Sequence, residues 1–147
     1  MTGAAAMPGI THSMPLRVYY EDTDAAGIVY YANYLKFAER ARTEMLRDAG
    51  SSHGEMIETF DTAFAVSRCE IDFLKPARLD DLLSVETRVL EVGAAVVRLD
   101  QRVQRRDELL ARLDIRIACL NRKGRPQRLP EPVRVALTTY RTSEELV

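Results

Sequence analysis

Histidine, cysteine and tryptophan are scarce in this chain: two, two and none among 147 residues. His12, His53, Cys69 and Cys119 are far apart, so no metal-ligand spacing can be assembled from them, no metal site is expected, and no disulfide framework is implied. A reduced, cytoplasmic protein with two inert buried thiols is the simplest reading. No apolar run approaches the roughly 20 residues of a membrane-spanning helix. Charge of one sign is also lacking: Lys+Arg 21 against Asp+Glu 22 leaves −1, which argues against a broad nucleic-acid surface. No G-x-S-x-G elbow and no P-loop occur, which leaves serine-hydrolase and nucleotidase readings without support. What is plentiful is hydrophobic surface, 46% of residues, enough for one core in one domain over 15–147. The opening MTGAAAMPGITHSM has no Lys or Arg and is interrupted by Pro8; it reads as a flexible tail over 1–14 and not as a signal peptide.

Periodicity then sets the elements. Leu16 to Tyr20 reads as a short strand. From about Tyr30 to Ala49 the pattern is helical, with Tyr34, Ala38, Ala41, Met45 and Ala49 at steps of three and four, widened by Leu35, Phe37 and Leu46. Gly50 suits a left-handed helix end. After Ser67 the period becomes two: Cys69, Ile71 and Phe73 are apolar between charged neighbours, until Lys75-Pro76 stops the strand. Leu82–Val92 is a second, less regular segment, Ala95–Val103 and Leu109–Cys119 alternate clearly, and Pro130 and Pro132 precede a short terminal helix near Val133–Leu137. The predicted architecture is α+β: five antiparallel strands, roughly 24 Å wide at about 4.8 Å each, with one long amphipathic helix to cover their apolar face. Arg98, Asp100, Arg112 and Asp114 are expected on the charged outer face.

The stretch RVYYEDTDAAGIVYYANY places Glu21, Asp22 and Asp24 just ahead of that helix, followed by the small-residue turn Ala25-Ala26-Gly27. A helix start presents unpaired N–H groups and a partial positive charge, which stabilises an oxyanion or polarises a carbonyl. A carboxylate beside it could attack a carbonyl carbon or activate a water, and Gly27 would let the backbone approach a ligand. Taken alone, an Asp before a helix reads first as an N-cap worth about 1 kcal/mol.

RVYYEDTDAAGIVYYANYLKFAERARTEML resembles the active-site segment of hotdog-fold acyl-CoA thioesterases of the 4-hydroxybenzoyl-CoA thioesterase family. The nearer likeness is to the bacterial branch associated with the Tol–Pal cell-envelope system, and FLKPARLDDLL is similar to a second stretch of that branch. The resemblance implies a curved five-stranded antiparallel sheet wrapped around one long helix. It also implies a homodimer or homotetramer with sites at the subunit boundary, and hydrolysis of an acyl-CoA thioester to acid and coenzyme A without a cofactor. It implies that Asp24 is the catalytic carboxylate, as general base or nucleophile, that the Tyr31 backbone N–H polarises the carbonyl, and that Gly27 is the turn glycine. The branch often carries His where this chain has Tyr31, a departure that bears on substrate choice.

Further candidates come from the residues themselves. NRKGRPQR holds Arg122, Lys123, Arg125 and Arg128 without an acid, a solvated turn or a rim for the phosphates of coenzyme A. Tyr30, Tyr31 and Tyr34 are expected mostly in the core, one of them lining an acyl pocket; we assign Tyr30 to substrate binding. Arg78 is expected to pair with Asp80 or Asp81, and His53 to lie on the surface. The rival reading is a non-catalytic hotdog protein that binds an acyl carrier protein or an envelope partner; a third makes acyl carrier protein the leaving group.

Overall fold

The computed structural model describes residues 10–141. In chain order the elements are β1 (His12–Arg17), a 3-10 turn (Tyr20–Asp22), α1 (Asn33–Asp48), α2 (His53–Phe60), β2 (Thr62–Phe73), β3 (Leu82–Val92), β4 (Val96–Arg105), β5 (Glu108–Asn121) and α3 (Glu131–Thr139). The strands form one antiparallel sheet in the order β1-β3-β4-β5-β2. This is the α+β hotdog architecture that the periodicities and the resemblance predicted, with α1 lying in the sheet's concave face.

The expected stripe of α1 is buried except at Leu35, which is 45% exposed, and at Ala49, which is half-buried at the helix end. Tyr34, Phe37, Ala38, Ala41, Met45 and Leu46 are buried against Val85, Val89, Leu99, Val103, Leu113 and Ile115 of the central strands. Burying a Leu, Met or Phe side chain contributes about 1.5–3 kcal/mol, so this seam dominates the fold. The helix ends in a Schellman motif: Ser51 N–H reaches the Leu46 carbonyl at 2.9 Å and Gly50 N–H that of Arg47 at 3.0 Å, with Gly50 at φ 87°. One polar side chain crosses the seam. Gln101 is fully buried, and its amide is satisfied by Arg42 (3.0 Å), the Ala38 carbonyl (3.0 Å) and Thr87 (2.9 Å).

Several expectations are corrected. The helix begins at Asn33, not Tyr30: the Tyr30 and Tyr31 carbonyls accept the N–H groups three residues on, from Asn33 at 2.8 Å and Tyr34 at 3.3 Å, which makes this stretch a turn and not an α-helical ladder. The first strand starts earlier, so His12, Ser13 and Met14 of the expected tail lie in β1, while 1–9 fall outside the described residues. Helix α2 was not expected; Ser52 caps it by accepting the Glu55 N–H at 3.1 Å. His53 is half-buried there, 3.1 Å from the Thr43 hydroxyl, and burial lowers its pKa. Asp100 is on the outer face but 4% exposed, covered by Arg88, Arg102 and Arg112. Burial would raise its pKa, and the arginines outweigh that and hold it below its ordinary value. Asp81 pairs with Arg105 at 2.6 Å; Arg78 gives it only its backbone N–H, at 2.8 Å.

Candidate active site

The three acids of the N-terminal motif have different roles. Asp22 is 7% exposed; its carboxylate accepts the Tyr19 N–H at 2.8 Å, and its carbonyl accepts from Tyr30 N (2.9 Å) and Asn33 Nδ2 (2.8 Å). It is a pin that joins the strand end to the helix start. Glu21 is exposed on the 3-10 turn. Asp24 is exposed and opens a five-residue turn. Its backbone N–H donates to the Ile28 carbonyl (2.9 Å), its carbonyl accepts from Gly27 N (3.0 Å), and its Oδ1 accepts from Ala26 N (2.8 Å). Gly27 closes the turn at φ 79°, where a side chain would be strained.

The chain then runs directly to the start of α1. Ala32 is helical in backbone but supplies no side-chain cap. The N–H groups of Asn33, Tyr34 and Leu35 close onto the carbonyls of Tyr30, Tyr31 and Ala32 at 2.8, 3.3 and 3.2 Å. Among the described residues the amides of Tyr31 and Ala32 have no acceptor, so two adjacent donors stand free at the positive end of a 16-residue helix. Sequence reasoning singled out Tyr31; Ala32 it missed, and only the absence of an Asp, Ser or Thr cap just before Asn33 hints at it.

The second motif, FLKPARLDDLL, holds this turn in place. Val29 N–H donates to the Ala77 carbonyl at 2.9 Å and Leu79 N–H to the Gly27 carbonyl at 3.3 Å, with Ile28 paired to Arg78 between them. The buried Tyr34 hydroxyl accepts the Ala77 N–H at 3.1 Å; burial raises its pKa, tempered by that N–H. A residue of the helix's first turn therefore locks the segment that braces the Asp24 turn.

Of the three tyrosines expected in the core, only Tyr34 is buried; Tyr30 is 46% and Tyr31 62% exposed, since the helix starts after them. Their rings lie 4.8 Å apart, Tyr31 meets Phe73 edge-on at 6.2 Å, and the contact with Tyr31 raises the Tyr30 pKa. Tyr30, Tyr31 and Phe73 thus form an exposed aromatic cluster, and Leu35 and Leu74, next to its members in sequence, are exposed as well.

Asp24, Gly27, Tyr30 and Tyr31 are thus brought together, and Arg122, Lys123 and Arg125 are not. The site abuts the end of β2 where Phe73 faces Ala111; the basic turn follows Asn121, which faces Thr62 at the other end. Ten residues of β5 separate them, roughly 33 Å at about 3.3 Å per residue. Arg122 pairs with Asp61 at 2.8 Å, both exposed. A sequence shows neither register nor strand order, so the separation was hidden.

A profile of the Thioesterase superfamily matches residues 26–111. The chain is 45% identical over 125 residues to a Haemophilus influenzae protein named acyl-CoA thioesterase YbgC, covering 84% of this chain and 92% of that one. It is 35% identical to a 1,4-dihydroxy-2-naphthoyl-CoA hydrolase of Acaryochloris marina, over 78% of this chain and 85% of that one. A probable thioesterase from Bartonella henselae superposes with a TM-score of 0.80 at 36% identity, covering 82% of this chain and all of that one.

Proposed function

Since this chain belongs to the thioesterase superfamily and is a thioester hydrolase of the acyl-CoA thioesterase kind, we propose that it hydrolyses acyl-CoA with Asp24 as the catalytic carboxylate and the Tyr31 amide, aided by that of Ala32, as the oxyanion donor. The observation that carries this is an exposed carboxylate on a turn that leads directly into helix-start N–H groups that lack acceptors. The thioester oxygen accepts from the amides, which draws electron density from the carbonyl carbon. Asp24 then takes a proton from water as hydroxide adds, or adds itself to give an anhydride that water opens. In both routes coenzyme A leaves as the thiolate and is protonated by solvent. One turnover in ¹⁸O-water separates the two: a base puts the label in the acid at once, a nucleophile puts it first in Asp24.

The site is open in a single chain, and the reading includes a dimer. β2 is an edge strand of 12 residues with Val66 49% and Phe73 50% exposed, an unprotected template for pairing. Two-fold antiparallel pairing centred on Cys69 would oppose Arg68 to Glu70 of the partner subunit. It would also bring the partner's Asn121 end level with Pro76, in the segment that braces this chain's Asp24 turn. Arg122, Lys123 and Arg125 of the partner subunit would then meet the phosphates of coenzyme A, and Tyr30 would line the acyl entrance.

A thiol-release assay on short, long and aromatic acyl-CoAs tests the function. Release with one or more that falls about 10²-fold or further in folded Asp24→Asn supports it. Silence across the panel, with an acyl carrier protein captured instead, supports the non-catalytic reading.

No helix among the described residues is long and apolar enough to cross a membrane. A cytoplasmic location is part of the proposal.

A further inference from the structure

A groove continues from the candidate site along α1. Leu35, Glu39 and Arg42 recur at steps of four and three on one side of that helix, and Leu35 stands one turn past the amides of Tyr31 and Ala32. The inner face of β2 runs opposite. Its Phe73, Cys69 and Val66 pair with the core residues Ala111, Ile115 and Ile117 of β5, and Phe73 meets the Tyr31 ring at 6.2 Å. Between helix and strand lies a hollow of about 540 Å³, lined by Leu35, Glu39, Arg42, Val66, Cys69 and Ile115. That volume is in the range of small-ligand pockets. A smaller chamber of about 90 Å³ follows, walled by Met45, Leu46, Phe64, Leu99, Ile117 and Leu137. Both hollows also touch Glu39, Arg42 and Val66, so these three side chains are the partition between them.

Arg42 is the clamped member of that partition. It is half-buried, and its Nη1 donates to Gln101 Oε1 at 3.0 Å. Gln101 is fully buried and fixed in turn by the Ala38 carbonyl and Thr87. Moving the guanidinium aside would leave a buried amide oxygen without a donor. We propose that the larger hollow receives the acyl chain of the thioester and that Arg42 ends it, setting the longest chain that is hydrolysed. This rests on the acyl-CoA reading of the Asp24 turn and names the substrate class within it. The shared Gln101 amide holds the guanidinium level with Ala38, seven residues past Tyr31 and about 10 Å along the helix. An extended chain gains about 1.2 Å per bond, so acyl groups of about eight carbons or fewer stop short of Arg42. A longer chain must press apolar carbon against a desolvated cation or dislodge it. The groove follows the edge strand, so the proposed β2 pairing would close its open side.

Thiol release from butanoyl-, hexanoyl-, octanoyl-, dodecanoyl- and hexadecanoyl-CoA tests it. For the native protein kcat/KM is expected to fall about tenfold or more from octanoyl- to dodecanoyl-CoA. Arg42→Ala joins the two hollows and should raise the dodecanoyl-to-hexanoyl ratio of kcat/KM at least about tenfold. Circular dichroism checks its fold, and a uniform loss of active protein leaves that ratio unmoved. Val66→Ala widens the same partition from a half-exposed edge position without disturbing Gln101, and should raise the ratio about threefold. A ratio unchanged in both folded variants overturns the proposal and leaves the catalytic reading standing; a sedimenting mass that changes in its place would give the groove to a second copy of the chain. A native protein that takes hexadecanoyl-CoA as readily as octanoyl-CoA, or aromatic acyl-CoAs alone, overturns it as well. Silence of the native protein on every acyl-CoA would take down the catalytic reading itself.

Discussion

Two turns of this molecule share one backbone design. In each, the first residue donates its N–H to the carbonyl four residues on: Asp24 to Ile28 and Asn121 to Arg125, both at 2.9 Å. In each, a left-handed glycine follows at the fourth position, Gly27 at φ 79° and Gly124 at φ 78°. In each, the first side chain accepts a backbone N–H two residues on, from Ala26 at 2.8 Å and Lys123 at 2.9 Å. They differ in charge and in what lies next. The first opens with an ionisable carboxylate and leads to the free amides of α1. The second opens with a neutral amide that also takes the Arg125 N–H at 3.1 Å, and it displays cations. The same backbone thus displays a carboxylate at one place and cations at the other, and the two displays lie at opposite ends of β5; under the proposed function a second copy brings the cationic turn to the carboxylate turn.

Asp24→Asn is the widest break in the comparison, because it makes the first turn resemble the second while leaving the fold intact. The expected loss of thiol release is about 10²-fold or more, and a rate equal to the parent's would remove Asp24 from the chemistry. Replacing Arg122, Lys123 and Arg125 with alanine disarms the second turn. KM for acyl-CoA is expected to rise about tenfold with kcat nearly kept, as suits uniform binding; a fall in kcat at unchanged KM would deny them a binding role. Asp22→Asn separates the pin from the carboxylate that works. It weakens a charge-assisted bond to the Tyr19 N–H, so a melting point lower by about 3 °C is expected, with kcat within about tenfold. A loss as deep as that of Asp24→Asn would mean that the working acid was misassigned. Tyr34→Phe removes the acceptor for the Ala77 N–H that braces the first turn; about 1 kcal/mol of stability should go, read by denaturant unfolding.

Asp100 lies outside both turns and should affect activity least. Its folded pKa is below the ordinary 3.8, so the unfolded chain binds more protons as acid is added. The stability it supplies is complete above that ordinary value and lost as pH falls through the lowered one. Asp100→Asn should flatten that acid limb; an unchanged limb would remove Asp100 as its source.

The fold was legible where periodicity is strong. The stripe from Tyr34 to Met45 and the alternation in β5 follow from side-chain direction, and both are buried as expected. Three features escaped. Helix α2 carried a capping signature in Ser52 and Glu55, but Gly54 in a short segment masked it. Tyr30 and Tyr31 fit the helical period, yet their carbonyls close a turn onto Asn33 and Tyr34, the helix starts after them, and both are exposed. Alternation put Asp100 outside correctly, but the guanidinium groups of Arg88 and Arg112 from neighbouring strands, with Arg102 of its own, cover it, which no single-strand pattern reveals. Of the site, the local turn was readable because its parts are adjacent in sequence. The distance of the basic turn from the Asp24 turn depends on strand register, which is not written in local spacing.

The sharing of one site by two chains is tested most directly in a mixed dimer. One chain carries Asp24→Asn with its basic turn intact; the other keeps Asp24 but has Arg122, Lys123 and Arg125 changed to alanine. If the cations serve across the boundary, the second chain's carboxylate faces the first chain's intact turn, and about half the parental kcat returns with the parental KM. If each chain serves itself, no site holds both parts, and the mixed dimer shows only the raised KM of the alanine chain.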